Sequence, residues 1–133
     1  MIKVEQINHC KKNMLIKREK SCAEIRANDG CRLRELLHPE RDPVSISYSL
    51  AIASVDQGDA TSPHTLKETE VYWILQGTGE MHIGEETAAL TKGDVVVIPP
   101  EMPQWIRNIG KETLVFAAIV SPPWTPKHDI RLV

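Results

Sequence analysis

A histidine, a glutamate and a glutamine in the middle of the chain carry groups that suit binding or catalysis. His64 and Glu70 are separated by a polar stretch, LKET at 66–69. On one straight strand they would lie roughly 20 Å apart, so they can share a ligand only if the chain bends there. Gln104 follows two hairpins later, and an antiparallel sheet can return a distant strand beside the first. An imidazole and a carboxylate suit either metal ligation or hydrogen bonding to a polar ligand.

The spacing around these side chains resembles the two signature motifs of the cupin superfamily, in particular those of small single-domain cupins. The first motif reads Gly, five residues, His-x-His, three residues, Glu, six residues, Gly. The second reads Gly, five residues, Pro-x-Gly, two residues, His, three residues, Asn. The matching positions are Gly58, His64, Glu70 and Gly77 in the first motif, and Gly93, Pro99 and Asn108 in the second. The departures are Leu66 and Gln104 in place of histidines and Glu101 in place of a glycine.

The resemblance implies a divalent metal site held by His64, Glu70 and Gln104. Transition metals bind well to imidazole nitrogen with one charge-compensating oxygen, and iron, manganese, nickel and zinc are all compatible. The amide of Gln104 is a weak, neutral metal ligand, and Leu66 has no atom that could bind a metal. The affinity for the metal is therefore expected to fall below that of a four-ligand site. Strand alternation places Tyr72 on the same side as Glu70, so the candidate catalytic groups are His64, Glu70 and Tyr72.

Several functions follow from this resemblance and stay open. Likeness to mannose-6-phosphate isomerase-like cupins implies a metal-dependent isomerase or a dioxygenase that acts on a small polar ligand, such as a carbohydrate. A sugar phosphate would need cationic ligands, for which Lys67 and Arg107 are the candidates. The alternative is a metal-free cupin that binds a small molecule as a sensor or accessory protein. A third possibility is assembly alone: alternation directs Trp73 and Trp105 outward, and homodimers are common among small cupins.

Other residues remain alternatives for the site. Glu68 competes with Glu70 as the carboxylate, and only the motif register prefers Glu70. His82 points inward if Gly77-Thr78-Gly79 forms a three-residue hairpin loop, and outward if the loop has two residues. His38 is expected in a loop before Pro39, with a place at the barrel mouth left open, and His9 and His128 are expected at the surface.

Short alternating runs between turn residues predict an all-β fold, an antiparallel β-barrel of the jelly-roll (double-stranded β-helix) kind. The Asn28-Asp29-Gly30 cluster predicts a hairpin that joins strands at 22–27 and 32–37. Further strands are predicted at 44–55, 70–76, 80–83, 95–98, 105–107 and 113–120. Serine and alanine share one face of 44–55, which suits close packing or a cavity wall.

Length and charge limit the remaining possibilities. The 133 residues predict a single domain, with an amino-terminal arm at 1–21, a barrel core at 44–120 and a tail at 121–133 that packs Trp124 inward. The net charge of -2 gives no electrostatic reason for a nucleic-acid or membrane partner. Three cysteines without paired spacing indicate free thiols, and the first residues contain no signal-like apolar run, so a cytoplasmic location is expected.

Overall fold

The computed structural model describes residues 13–133, which form two antiparallel sheets. The strands are β1 (Glu24–Arg26), β2 (Arg32–Leu37), β3 (Ser49–Val55), β4 (His64–Thr65), β5 (Thr69–Gln76), β6 (Thr78–Ile83), β7 (Glu86–Thr91), β8 (Val95–Ile98), β9 (Gln104–Asn108), β10 (Leu114–Ser121) and β11 (Ile130–Arg131). The first sheet has the order β1-β2-β3-β10-β5-β8 and the second β11-β4-β9-β6-β7. Two single-turn 3-10 helices are present, at Glu19–Ser21 and Pro126–His128. The predicted all-β jelly-roll class is confirmed.

The hydrophobic core lies between the two sheets, where alternate side chains of the inner strands point inward. Tyr72 and Ile74 of β5 point inward, and they meet Ile106 of β9 and Phe116 of β10 in one buried cluster. Burial of each such side chain stabilises the fold by about 1.5–3 kcal/mol. The alternation predicted for β5 is confirmed, since Trp73 points outward and is 48% exposed.

The link between β5 and β6 is not a hairpin, contrary to the prediction at Gly77-Thr78-Gly79. The two strands belong to different sheets, and Gly77 alone separates them. Gly77 has a φ of 87°, and a Cβ there would lie 3.1 Å from the Leu114 Cα. A glycine is therefore needed for the chain to cross from one sheet to the other against β10.

The predicted strand at 44–55 begins five residues late, at Ser49. The Val44 N–H donates to the Asp42 carbonyl at 2.8 Å, which closes a three-residue turn and removes Val44 from the ladder. The serine and alanine face of β3 does point inward, and it lines a cavity.

Both flanks of the sequence pack against this framework. The predicted hairpin is present as β1 and β2, and β11 in the tail pairs with β4. The sequence did not indicate β4, β7 or β11 as separate strands. Most of the predicted amino-terminal arm, with His9 and Cys10, lies outside the described residues, whereas Cys22 and Cys31 are buried free thiols. Within 13–133 there is no helix whose length and apolar character would let it span a bilayer.

Candidate functional site

A cavity of about 850 Å³ opens between the inner face of the first sheet, the β1–β2 hairpin and the carboxy-terminal tail. The cavity exists because the inward-facing side chains at its wall are small and leave the space above the sheet empty. Ala51 of β3, for example, lies directly opposite Ala118 of β10. Most of the wall is apolar, and it includes the aromatic residues Tyr72, Phe116 and Trp124. Such a space suits a small organic ligand.

His64 presents one ring nitrogen to this cavity. Its Nδ1 lies 3.0 Å from the Ser62 carbonyl oxygen, which can only accept, so Nδ1 carries the proton. In the neutral ring, Nε2 is therefore a free acceptor. Strand β4 fixes the ring because it is paired with β9 on one side and β11 on the other, with His64 opposite Gln104 and Arg131.

Asp29 is the site residue that the sequence did not reveal. Its carboxylate is buried, and Oδ2 lies 4.0 Å from His64 Nε2. The hairpin holds it in place: Oδ1 accepts the Cys31 N–H at 3.1 Å, and the Asp29 carbonyl accepts the Ser62 N–H at 2.7 Å. The Asn-Asp-Gly sequence is fully explained by a tight turn, so no local signal marked Asp29 as a cavity residue.

Glu70 lies in the same cavity wall and is only 7% exposed. Its Oε1 is buried and has no hydrogen-bond partner within residues 13–133. Burial raises the pKa of Glu70 to about 8, and the charges of Asp29 and Asp129 raise it as well, while Gln104 and Tyr72 offset part of the shift. The carboxyl group is therefore mostly protonated at neutral pH, and it can donate a hydrogen bond.

Tyr72 and Gln104 form a buried pair beside Glu70. The Tyr72 hydroxyl donates to Gln104 Oε1 at 3.0 Å, and burial raises the Tyr72 pKa well above its ordinary value. Tyr72 thus remains a neutral phenol in the cavity. The amide oxygen of Gln104, the atom that a metal would use, is already engaged.

These residues do not make a suitable set of transition-metal ligands. One imidazole is present, Glu70 favours its protonated form, Gln104 is bonded to Tyr72, and Leu66 is a buried apolar residue in the cavity wall. Across 13–133 no three His, Cys, Asp or Glu side chains converge as a metal site would require. The divalent metal ion predicted at His64, Glu70 and Gln104 therefore stays a prediction that this donor set does not favour.

The alternative ligands lie elsewhere. Glu68 is buried but pairs with His128 at 2.6 Å, so His128 is not the free surface residue that was expected. His82 points away from the core and stacks on Trp105, with ring centroids 3.7 Å apart. His38 is buried and contacts the Trp124 carbonyl through Nε2 at 2.7 Å, which anchors the tail.

The two candidate phosphate ligands are also outside this cavity. Lys67 is exposed and lines a separate cavity of about 240 Å³. Arg107 is exposed and lies 5.3 Å from the ring centroid of Trp105, which it partly covers. Of the two tryptophans expected to leave an apolar surface, Trp73 remains the more exposed.

Two motif positions have a structural role. Glu101, which replaces the motif glycine, has a φ of 64°, a conformation that favours glycine. Asn108 donates through Nδ2 to the carbonyl oxygens of Val55 and Glu112, both at 2.9 Å, and accepts the Gly110 N–H through Oδ1. The asparagine thus ties the end of β9 to β3 and to the following turn.

Comparison with known proteins finds the cupin domain over residues 51–120. An uncharacterized protein of Methanocaldococcus jannaschii is 39% identical over 98 residues, which are 73% of this chain and 78% of that protein. The polyketide cyclase RemF from Streptomyces resistomycificus has a TM-score of 0.74 at 14% identity, over 90% of this chain and 86% of that one. A predicted oxalate decarboxylase from Thermotoga maritima has a TM-score of 0.71 at 22% identity, over 81% and 99%. Likeness to these two structures shows the fold alone.

Proposed function

We propose that this protein, which belongs to the cupin family, binds a small organic molecule in its cavity without the help of a transition metal. The observation that carries the proposal is the cavity itself, about 850 Å³ of largely apolar space whose polar floor is formed by His64, Asp29 and Glu70. Pockets with an apolar wall and a few fixed polar groups are the usual form of small-molecule sites.

A phosphorylated sugar fits this cavity poorly. Two of the lining cations are already in ion pairs, Lys17 with Asp42 at 2.7 Å and Arg41 with Glu35 at 2.6 Å, and Arg26 donates to the Gly30 carbonyl at 2.8 Å. The floor carries the Asp29 carboxylate, which would repel a phosphate. A metal-dependent isomerase or dioxygenase is the competing function, and it requires a metal that the donor set does not favour.

Thermal unfolding with a panel of small organic molecules tests the binding function. A ligand at a hundred times its Kd should stabilise the native state by about 2.7 kcal/mol, which raises the Tm by roughly 10 °C in a domain of this size. Replacement Ala51→Phe places a ring in the cavity and should abolish this shift. Ala89→Phe, on the exposed part of β7, is the matched control and should keep it.

Metal analysis separates this proposal from the competing one. Protein purified without chelators, and its His64→Ala variant, are both measured for bound iron, manganese, nickel and zinc. We expect far less than one metal per chain in either protein. Stoichiometric metal that disappears in His64→Ala would refute metal independence, and a ligand shift retained in Ala51→Phe would refute the cavity as the binding site.

A further inference from the structure

Two hydrogen-bond acceptors face each other across the floor of the cavity. Asp29 Oδ2 and His64 Nε2 are 4.0 Å apart, too far for a direct hydrogen bond, and in the neutral ring neither group can donate to the other. Both residues line the cavity. A nitrogen placed between them would lie within about 2.8–3.0 Å of each. The gap is therefore shaped for a group that donates at least two hydrogen bonds.

The charge around this gap is negative and lacks a full counter-charge. Asp29 is 8% exposed, and His64 is the only cationic or potentially cationic side chain of residues 13–133 within 4.0 Å of its carboxylate. A buried carboxylate without a counter-charge is costly even when it accepts a backbone hydrogen bond, so a cation brought by a ligand stabilises it. Glu70 adds a buried Oε1 that no donor of the described chain reaches.

The pKa values of neighbouring groups agree with a negative charge on Asp29. Burial is the largest cause of the raised pKa of Glu70 and Tyr72, and the negative charges of Asp29 and Asp129 raise both further. The same carboxylate of Asp29 adds to the effect of burial in raising the pKa of the Cys31 thiol. Two groups on β5 and the thiol that precedes β2 thus lie in the field of the Asp29 carboxylate.

Aromatic rings line the same cavity and provide a surface that favours a cation. Of the six aromatic residues of the chain, Tyr72, Phe116 and Trp124 line this cavity. Tyr72 and Phe116 pack with ring centroids 4.2 Å apart, and Trp124 is held by its N–H bond to Asp129 at 3.0 Å. The negative face of an aromatic ring attracts ammonium groups.

We propose that the ligand carries an ammonium group that sits between Asp29 and His64, with its apolar body against the aromatic wall; this inference rests on the function proposed above. An ammonium has both the positive charge and the several N–H donors that the two acceptors require. A hydroxyl has a single donor and can satisfy only one of them.

Calorimetric titration of the full chain with three probes of similar shape tests the inference. The probes are 2-phenylethylamine, 2-phenylethanol and phenylacetate, each with and without EDTA. We expect the amine to bind at least about tenfold more tightly than the alcohol, and the carboxylate to bind most weakly, because one charge-assisted hydrogen bond accounts for such a factor. EDTA should leave all three affinities unchanged.

The variant Asp29→Asn tests the residue assignment. Asparagine suits the same turn and keeps the acceptor for Cys31, so the hairpin should survive, as circular dichroism would verify. The amine should lose at least about tenfold in affinity while the alcohol changes little. Asp59→Asn, a change at an exposed carboxylate outside the cavity, is the control and should leave all three affinities unchanged.

Four results would overturn the inference. They are an alcohol or carboxylate that binds as tightly as the amine, an amine affinity unaffected by Asp29→Asn, an amine affinity lost in EDTA, and no binding of any probe at millimolar concentration. The comparison of probes in the unmodified protein does not depend on how a variant folds. The proposed function is judged separately by the wider panel and by Ala51→Phe, so either can fail alone.

Discussion

Replacement of Glu70 by glutamine should change how the stability of the protein depends on pH. In the folded protein, burial raises the pKa of Glu70 to about 8, whereas its ordinary value is 4.5. Between these two values the unfolded chain releases the proton while the folded protein keeps it. The folded state therefore binds more protons, and its stability falls as the pH rises through this window.

The size of the effect follows from the same shift. The difference between 4.5 and about 8, at 1.36 kcal/mol for each pKa unit, gives a loss of about 5 kcal/mol from pH 4.5 to pH 8. This contribution is fully present below pH 4.5 and fully lost above about pH 8. Glutamine has a similar shape and does not titrate. The difference in unfolding free energy between Glu70→Gln and the unmodified protein should therefore grow in favour of the variant as the pH rises.

Urea unfolding followed by circular dichroism from pH 4.5 to pH 9 measures this difference. Glu85→Gln, at an exposed turn, is the control and should follow the unmodified protein at every pH. A difference between Glu70→Gln and the unmodified protein that stays constant over the whole range would refute the reasoning, since Glu70 would then have the same pKa in both states.

Two further changes test the motif positions. Glu101→Gly should stabilise the protein by up to about 1 kcal/mol, because a φ of 64° suits glycine; Glu101→Ala should give no such gain, and equal stability of the two variants would contradict the strain. Asn108→Ala removes three hydrogen bonds at a buried position and should cost about 2–4 kcal/mol in urea unfolding; a loss below about 0.5 kcal/mol would contradict the anchoring role.

The inner face of the sheet could be predicted because it depends on local alternation. Glu70 and Tyr72 point inward as expected, and Gln104 does so on its own strand. The spacing of the motif glycines and Asn108 was enough to indicate the jelly roll. Period-two alternation and turn residues are local properties, so the sequence carries them directly.

The errors arise where distant parts of the chain decide the structure. Gly77 follows a strand in a turn-rich sequence that suits a hairpin, yet contact with Leu114 on β10 makes it a crossing between sheets. Asp29 sits in an ordinary turn, and only packing of that turn onto the segment before β4 brings it to His64. Such long-range contacts have no signature in the local sequence.

The cavity combines a sheet shared with the cupin family and two flanking segments. Residues 51–120 contain His64, Glu70 and Tyr72, whereas Asp29 and Trp124 come from the hairpin and the tail. The hairpin and the tail also belong to the framework, because β2 pairs with β3 and β11 pairs with β4. An exchange of either segment between related domains would therefore have to keep these strand pairings while it changed the lining of the cavity.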